Sequence, residues 1–214
     1  MRNLLVAQIL AAALTACADP VPTNFSDGGP DNPAIAGMTY AWSFDQETPG
    51  RLPGPWSNVL GDWRIEGGSV IQGGEFGDPD YPRVVFEGLQ FTDHKVTVKC
   101  RLESGETDRA CGLMFRAGDS ENYYVTRANT LEDNIRLYRV INGDRVQFAS
   151  ADRTVNSNIW HTLEVEAIGS RIGVYWNGEK VIDETDTTFT TGVIGLWTKA
   201  DSITRFDDLS ATAR

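Results

Sequence analysis

The stretch Ile172-Gly173-Val174-Tyr175-Trp176-Asn177-Gly178 contains the two signals that decide the fold of this chain. Its first five residues are mostly β-branched or aromatic, which favours a strand. The Asn-Gly pair that follows is the strongest short-range hairpin signal, because a type I′ turn needs positive φ at both central residues. The segment therefore predicts a strand that reverses into an antiparallel neighbour, and Asn142-Gly143 repeats the signal.

Short β-rich runs recur along the rest of the chain after Tyr40, separated by Gly, Asn and Asp. No stretch carries a convincing helical period, and regularly spaced strands with turn residues between them are typical of sandwiches. The sequence therefore predicts an all-β, two-sheet antiparallel sandwich over residues 40–214. The runs are Val96-Thr97-Val98-Lys99, Leu113-Met114-Phe115, Tyr123-Tyr124-Val125-Thr126, Ile135-Arg136-Leu137-Tyr138, Leu163-Glu164-Val165-Glu166, Ile172 to Trp176 and Val193-Ile194-Gly195-Leu196-Trp197.

The first 16 residues have the layout of a secretory signal. Arg2 precedes an apolar run from Leu4 to Leu14, which ends in small residues. The run is too short to span a bilayer, which needs about 20 apolar residues. Leu14-Thr15-Ala16-Cys17 resembles a bacterial lipobox, so we expect Cys17 to be lipidated and to become the mature N-terminus. An ordinary cleaved signal with a cysteine nearby is the alternative.

The composition of residues 17–39 predicts a disordered tether between the lipid on Cys17 and the folded domain. Four prolines with Gly, Asp and Asn cannot bury enough apolar surface to order themselves, and the prolines stiffen the segment. We therefore expect an exported protein that its lipid anchors to a membrane of the bacterial cell envelope. If the host has two membranes, the outer one is favoured, because Ala18 is not the aspartate that retains lipoproteins in the inner membrane.

The other two cysteines, Cys100 and Cys111, flank a turn-forming stretch from Glu103 to Asp108. A hairpin centred between Gly105 and Glu106 would place them directly opposite each other, at a distance that allows a disulfide. Export to an oxidising compartment favours the bond. Two buried thiols are the alternative.

The charge excludes one class of partner. With 30 acidic and 19 basic residues, the net charge of −11 leaves no basic face for nucleic acid. The length left after removal of the signal suits one β-rich domain or two small ones. We expect the protein to be a monomer.

Six segments in the second half of the chain carry a resemblance to a known family. They are Gly112 to Arg116, Asn122 to Asn129, Asn134 to Arg139, Trp160 to Leu163, Gly195 to Ser202 and Phe206 to Leu209. With these segments the chain resembles the concanavalin A-like, laminin G-like jelly rolls of bacterial secreted proteins. It resembles more closely those grouped with the 3-keto-disaccharide hydrolase domain and loosely labelled family 16 glycoside hydrolases. The resemblance covers residues 40–214, is specific from Gly112 onward, and implies a curved jelly roll in a carbohydrate context.

Catalytic signatures are weak in this sequence. Family 16 hydrolases carry Glu-x-Asp-x-x-Glu on one strand, but the nearest matches, starting at Glu106 and Glu184, lack the last glutamate. The Asn-Ser-Gly signature of the hydrolase domain is also missing. We therefore expect a module that binds glycan on its concave face. The alternatives are an enzyme that hydrolyses or eliminates keto-glycosides, and a laminin G-like module for a protein partner.

The candidate ligand face comes from one predicted hairpin. Pairing residue 129 with residue 134 sets Arg127 opposite Arg136 and Val125 opposite Tyr138 on one face. Aromatic rings and forked guanidinium groups suit sugar recognition. Arginines paired with neighbouring carboxylates are the alternative, since two like charges directly opposite each other need anions. The predicted face comprises Arg127, Arg136, Tyr138, Trp197 and Lys199, with Arg116 as a further candidate.

A structural calcium ion is the one cofactor that the sequence suggests. Asp207 and Asp208, near the C-terminus, could join Asp45 of the first strand to supply oxygen ligands. Jelly rolls that the chain resembles often hold one calcium near their termini. A solvated turn explains the same carboxylates.

Overall fold

The computed structural model describes residues 32–214, which form fifteen β-strands and no helix. Cys17, the signal segment and most of the expected tether lie outside the described residues. The strands are β1 Thr39–Trp42, β2 Trp56–Leu60, β3 Trp63–Glu66, β4 Ser69–Gln72, β5 Arg83–Phe91, β6 His94–Ser104, β7 Ala110–Ala117, β8 Tyr123–Asn129, β9 Asn134–Ile141, β10 Asp144–Asp152, β11 His161–Ile168, β12 Arg171–Trp176, β13 Glu179–Thr185, β14 Gly192–Trp197 and β15 Ile203–Ala213.

The strands form two antiparallel sheets that pack face to face. The eight-stranded sheet has the order β13-β12-β11-β6-β15-β4-β3, and β1 also pairs with β15. The seven-stranded sheet has the order β10-β9-β8-β7-β14-β5-β2. The predicted all-β, two-sheet jelly-roll sandwich is confirmed.

Both Asn-Gly pairs form the predicted hairpin turns. Asn142 and Gly143 connect β9 to β10 with φ of 52° and 83°, and Asn177 and Gly178 connect β12 to β13 with φ of 50° and 85°. Positive φ at both central residues is the requirement of the type I′ turn. These turns fix the register of the strands on either side of them.

The main core lies between the sheets. Along β6, the residues Val96, Val98, Cys100 and Leu102 are buried and alternate with more exposed polar ones. This period of two buries one face of the strand and leaves the other to solvent. Burying each large apolar side chain contributes about 1.5–3 kcal/mol.

The seven-stranded sheet departs from this alternation at its centre. Every residue of β7, β8 and β14 is buried, so both faces of these strands are covered. The face turned away from the main core, which we call the outer face, carries a second apolar cluster. Its largest members are Tyr123, Tyr138 and Trp197. The candidate site lies on this outer face.

The cysteines form the predicted disulfide, but the predicted hairpin is wrong. Cys100 lies in β6 of the eight-stranded sheet, and Cys111 lies in β7 of the seven-stranded sheet. The Cα atoms are 6.3 Å apart and both side chains are fully buried. The stretch between them therefore carries the chain from one sheet to the other, and the bond links the two layers across the core.

The N-terminal boundary of the folded part lies before the predicted residue 40. The amide of Ala34 donates to the carbonyl of Gln90, and the amide of Gly37 donates to the carbonyl of Ala213. Residues from Asn32 onward therefore contact the sandwich, whereas the sequence predicted that residues up to 39 would form a free tether. Among residues 32–214, no helix is long and apolar enough to cross a membrane.

Candidate functional site

The predicted residues meet on the outer face because of strand register. Trp197 pairs with Gly112, Gly112 with Arg127, and Arg127 with Arg136 across β14, β7, β8 and β9. Partners directly opposite each other point to the same face of a sheet. In the next row Val125 pairs with Tyr138, as predicted. The structure therefore brings Arg127, Arg136, Tyr138 and Trp197 onto one surface.

A shared carboxylate resolves the repulsion between the two facing arginines. Glu132, in the turn between β8 and β9, has its Oε2 2.9 Å from Nη2 of Arg127 and 2.9 Å from Nη1 of Arg136. Arg127 also donates to Asn134 Oδ1 at 2.6 Å and to the Tyr138 hydroxyl at 3.3 Å. Burial favours a higher pKa for Glu132, but the two arginines and the hydrogen bonds hold that pKa below its usual value. Glu132 is therefore a fixed anion between two cations.

This cluster is accessible from only one side. The Arg127 side chain is 3% exposed, whereas those of Arg136 and Glu132 are 32% and 35% exposed. A molecule on the outer face would meet Arg136 and Glu132 directly, while Arg127 holds Glu132 from below. The arginines do pair with a neighbouring carboxylate, which is the alternative that the sequence left open. This pairing leaves Arg136 and Glu132 partly exposed to solvent.

Trp197 lies on the expected face but beneath other side chains. Its indole is fully buried, and the ring of Tyr81 stacks on it with centroids 5.4 Å apart and planes 21° from parallel. Gly112 makes room for the indole, since a Cβ there would lie 3.0 Å from ring carbon Cε3. Trp197 therefore lies on the predicted ligand face, but other side chains cover it and its ring is not exposed to a ligand.

An arginine from the edge strand β10 completes this aromatic group. The guanidinium carbon of Arg145 lies 4.6 Å from the ring centroid of Tyr81, 4.5 Å from that of Tyr138 and 5.7 Å from that of Trp197. These distances are within the range of cation–π attraction. We call Tyr81, Tyr138 and Trp197 the aromatic box. Arg145 fills it.

Lys199 follows β14 and is tied to two carboxylates. Its Nζ lies 3.1 Å from Asp108 Oδ2 and 3.1 Å from Asp78 Oδ1. Asp108 is 2% exposed and also accepts a 2.6 Å hydrogen bond from Asn129 Nδ2. Burial raises the pKa of the Asp108 carboxyl and outweighs the opposing effect of Lys199. The outer face therefore holds one carboxyl group whose pKa is raised and one, Glu132, whose pKa is lowered.

The structure does not place Arg116 on the outer face, which corrects its candidacy as a ligand contact. The pairing of β7 with β14 shifts between Val193 and Gly195, and Arg116 has a positive φ of 46°. Its side chain is 1% exposed and donates to the carbonyls of Thr92 and Gly169, at 3.0 Å and 2.8 Å. Arg116 therefore joins loops at the edge of the sandwich.

The three aspartates suggested for calcium lie near one another. Asp207 lies close enough to Asp45 and Asp208 for their charges to raise its pKa, although burial is the larger cause. Asp208 forms a 2.6 Å ion pair with Lys99. Within residues 32–214, no group of three or more His, Cys, Asp or Glu side chains is arranged to hold a metal ion. Calcium binding stays a prediction.

Sequence reasoning missed several residues of the site. Arg145 follows the Asn142-Gly143 turn and pairs with Val140, so extending the predicted hairpin would have placed it on this face. Glu132 lies inside the predicted turn. The two facing arginines required an anion, but the sequence alone did not identify Glu132 as that anion. Tyr81 comes from the loop before β5, and no local pattern indicates that its ring covers Trp197 of β14, a strand far away in sequence.

Comparison with known proteins gives the family and the fold. The model of the 3-keto-alpha-glucoside-1,2-lyase-like domain matches residues 43–211. A levanase of Bacillus subtilis is 26% identical over 142 residues, which is 66% of this chain and 20% of the levanase. The chain therefore spans about a fifth of the length of that curated relative.

Solved structures with the same fold include carbohydrate-active proteins. The carbohydrate-binding module CBM66 of Bacillus subtilis superposes with a TM-score of 0.68 at 22% identity, covering 74% of this chain and 95% of the module. A Bacillus licheniformis β-glucanase superposes with a TM-score of 0.59 at 11% identity, covering 84% of this chain and all of the glucanase. These likenesses establish the jelly-roll fold, and the family match covers most of the sandwich. The chain belongs to the family of 3-keto-alpha-glucoside-1,2-lyase-like domains.

Proposed function

We propose that the outer face of the seven-stranded sheet binds carbohydrate. One observation carries the proposal: Arg136 and Glu132 form a partly exposed, fixed donor–acceptor pair beside the aromatic box. A sugar hydroxyl both donates and accepts hydrogen bonds, so a guanidinium and a carboxylate held at 2.9 Å match two neighbouring hydroxyls. Arg127, Asn134 and Tyr138 hold this pair in place from below.

The family and the fold support this proposal. The CBM66 structure is named as a carbohydrate-binding module, and the β-glucanase and the levanase are named for polysaccharides. Ligand sites on rigid strands are held more accurately than sites on loops. The candidate pair lies at the β8–β9 turn and on β9, next to strands that are buried on both faces.

Replacing Arg136 with lysine tests the binding proposal. Lysine keeps the charge but cannot reproduce the planar, two-pronged hydrogen bonding of a guanidinium. We expect affinity for a bound oligosaccharide to fall about tenfold, the loss of about 1.4 kcal/mol of hydrogen bonding to a charged group. Glycan-array screening of the purified full chain would identify the oligosaccharide, and calorimetry would measure its dissociation constant.

Arg171→Lys is the matched control. Arg171 lies on β12 of the other sheet, is 65% exposed, and pairs with Asp183. Its replacement should leave affinity unchanged. If no glycan binds the wild-type chain, or if both variants bind like the wild type, the outer face is not a sugar site. A protein partner would then become the better proposal.

The two carboxyl groups of the outer face favour a second candidate, an enzyme that cleaves keto-glycosides. Enzymes that use paired carboxyl groups often give them different pKa values, so that one donates a proton while the other stays ionised. The raised pKa of Asp108 and the lowered pKa of Glu132 have this relation. Product analysis of each bound glycan decides between the candidates. Cleavage that Asp108→Asn abolishes would favour the enzyme, and intact glycan would favour binding alone.

We also propose that the chain is exported and anchored by a lipid on Cys17. The apolar run and the Leu14-Thr15-Ala16-Cys17 sequence support this. Replacing Cys17 with serine should move the protein out of the membrane fraction or leave its signal uncleaved. Mass spectrometry of the wild-type N-terminus checks the result. A wild-type protein without acyl mass, and a variant with an unchanged membrane fraction, would contradict the anchor.

A further inference from the structure

Two cations on the outer face have no carboxylate partner. Most arginines and lysines among residues 32–214 form ion pairs, including Arg127, Arg136 and Lys199 on this same face. Arg83 and Arg145 form no ion pair within the described part of the chain. In a chain with 30 acidic residues, cations could readily be neutralised, so two unpaired ones on the same face call for an explanation.

Arg145 is oriented without being neutralised. The aromatic box holds its guanidinium by ring faces, and its Nη1 is buried without a hydrogen-bond acceptor among the described residues. A guanidinium normally meets planar oxyanions through two parallel hydrogen bonds. The box therefore fixes the position of a charge whose usual partner is not supplied by residues 32–214.

Arg83 is held in a similar way, by groups without charge. Its Nη1 donates to the carbonyl of Tyr81 at 2.8 Å and its Nη2 to the carbonyl of Ser120 at 3.0 Å. Its guanidinium carbon lies 5.9 Å from the ring centroid of Tyr123. Carbonyls and rings fix the direction of the side chain but leave its positive charge in place.

The two charges share neighbouring residues. Tyr81 contacts both, since its ring covers Arg145 and its carbonyl accepts from Arg83. Both charges also act on the Tyr123 hydroxyl. Burial raises the pKa of this hydroxyl, and the two arginines offset part of that rise. Three carboxylates of this face are engaged with other cations, Glu132 with Arg127 and Arg136, and Asp78 and Asp108 with Lys199.

We propose that the outer face recognises an acidic sugar, and that Arg145, with Arg83 beside it, binds the carboxylate or sulfate group of that sugar. The inference rests on the proposed carbohydrate function and names its substrate class. A neutral sugar would leave both charges uncompensated. An anionic substituent would supply the missing acceptors, while Arg136 and Glu132 bind hydroxyls of the same or the next residue. Because the chain as a whole carries −11, an acidic glycan would be repelled elsewhere and attracted here.

Matched sugars test the inference with the full wild-type chain. The probes are neutral gluco- and galacto-oligosaccharides, the same compounds with primary hydroxyls oxidised to carboxylates, and the same compounds with 6-O-sulfate groups. Calorimetry at two salt concentrations measures each dissociation constant. We expect an acidic form to bind at least about tenfold more tightly than its neutral parent, with the gain reduced by salt. Preference for the carboxylated or the sulfated form identifies which oxyanion is recognised.

Arg145→Gln links the gain to the site, since glutamine removes the charge and keeps polarity. The gain from the acidic group should fall to near zero in this variant and persist in the control Arg171→Gln, with thermal melting showing that both are folded. Neutral and acidic sugars that bind equally well would overturn the acidic-sugar inference and leave the carbohydrate proposal standing. Tighter binding of neutral sugars by Arg145→Gln would show that Arg145 merely covers the aromatic box. If no probe and no arrayed glycan binds, both proposals fail together.

Discussion

Replacement of Trp197 by alanine is expected to lower the free energy of unfolding by about 3–5 kcal/mol. The indole is fully buried on the outer face, between the strand surface at Gly112 and the ring of Tyr81. Removing it leaves a cavity that Tyr81 and Arg145 cannot both fill, because each is held by other contacts. Urea denaturation followed by circular dichroism measures the loss. For a domain of this size, each kcal/mol corresponds to about 2–4 °C in Tm.

Trp160→Ala is the control. It shows how much stability is lost when a partly exposed tryptophan, rather than the buried Trp197, is replaced. Trp160 is 40% exposed and contacts Arg101 at 5.2 Å from its ring centroid. Its removal should cost no more than about 1 kcal/mol, the value of an exposed cation–π contact. Equal losses in the two variants would mean that the outer cluster is not packed as the structure has it. Weaker glycan binding by Trp197→Ala would follow from the collapse of the aromatic box rather than from a lost stacking contact.

The sequence could predict the fold because strand signals are local. Alternating apolar residues and the two Asn-Gly turns specify strands and their nearest partners without reference to the rest of the chain. The pairing of Arg127 with Arg136 followed from one turn of four residues, and the structure confirms it. The need for an anion between them also followed from elementary electrostatics, and Glu132 supplies it.

The prediction that Cys100 and Cys111 face each other in one hairpin was wrong, because a local turn signal does not indicate which sheet the next strand joins. Cys100 has His161 and Phe206 as strand partners, and Cys111 has Ala128, so each cysteine pairs with segments distant in sequence. Residues 103–108 read as a turn, but β6 continues to Ser104 and the chain then bends at Glu106 and Thr107. The side chain of Asp201 accepts hydrogen bonds from the amides of Glu106 and Thr107 and fixes the path of the chain between the layers.

Alternation likewise identifies a face but not what covers it. Trp197 was placed correctly on the outer face, yet its burial depends on Tyr81 from the loop before β5 and on Arg145 from β10. The two side chains reach it from opposite sides of the sheet order. Coverage of this kind is a property of three-dimensional packing, and a period of two along one strand carries no information about it.

Arg116→Ala is expected to cost about 3 kcal/mol, because it removes a fully buried side chain and the hydrogen bonds that its charged group donates. The guanidinium, 1% exposed, donates to the carbonyls of Thr92 at 3.0 Å, Gly169 at 2.8 Å and Phe189 at 3.3 Å, and lies 3.3 Å from Asp93 Oδ1. These acceptors belong to three separate connections, after β5, after β11 and before β14. One side chain therefore joins three loops that are far apart in sequence. Chemical denaturation of the full chain measures the loss.

Arg171→Ala is the matched control for this last prediction. Arg171 also pairs with a carboxylate, Asp183, but it is 65% exposed, so solvent screens the ion pair and its loss should change stability little. The difference between the two variants isolates burial and the carbonyl contacts from charge alone. Because Arg116 lies away from the outer face, Arg116→Ala should bind glycan like the wild type at temperatures where it stays folded. A stable variant that loses glycan binding would restore Arg116 to the site and contradict the structural role, whereas an unstable variant that binds normally would establish it as the residue that joins the three loops.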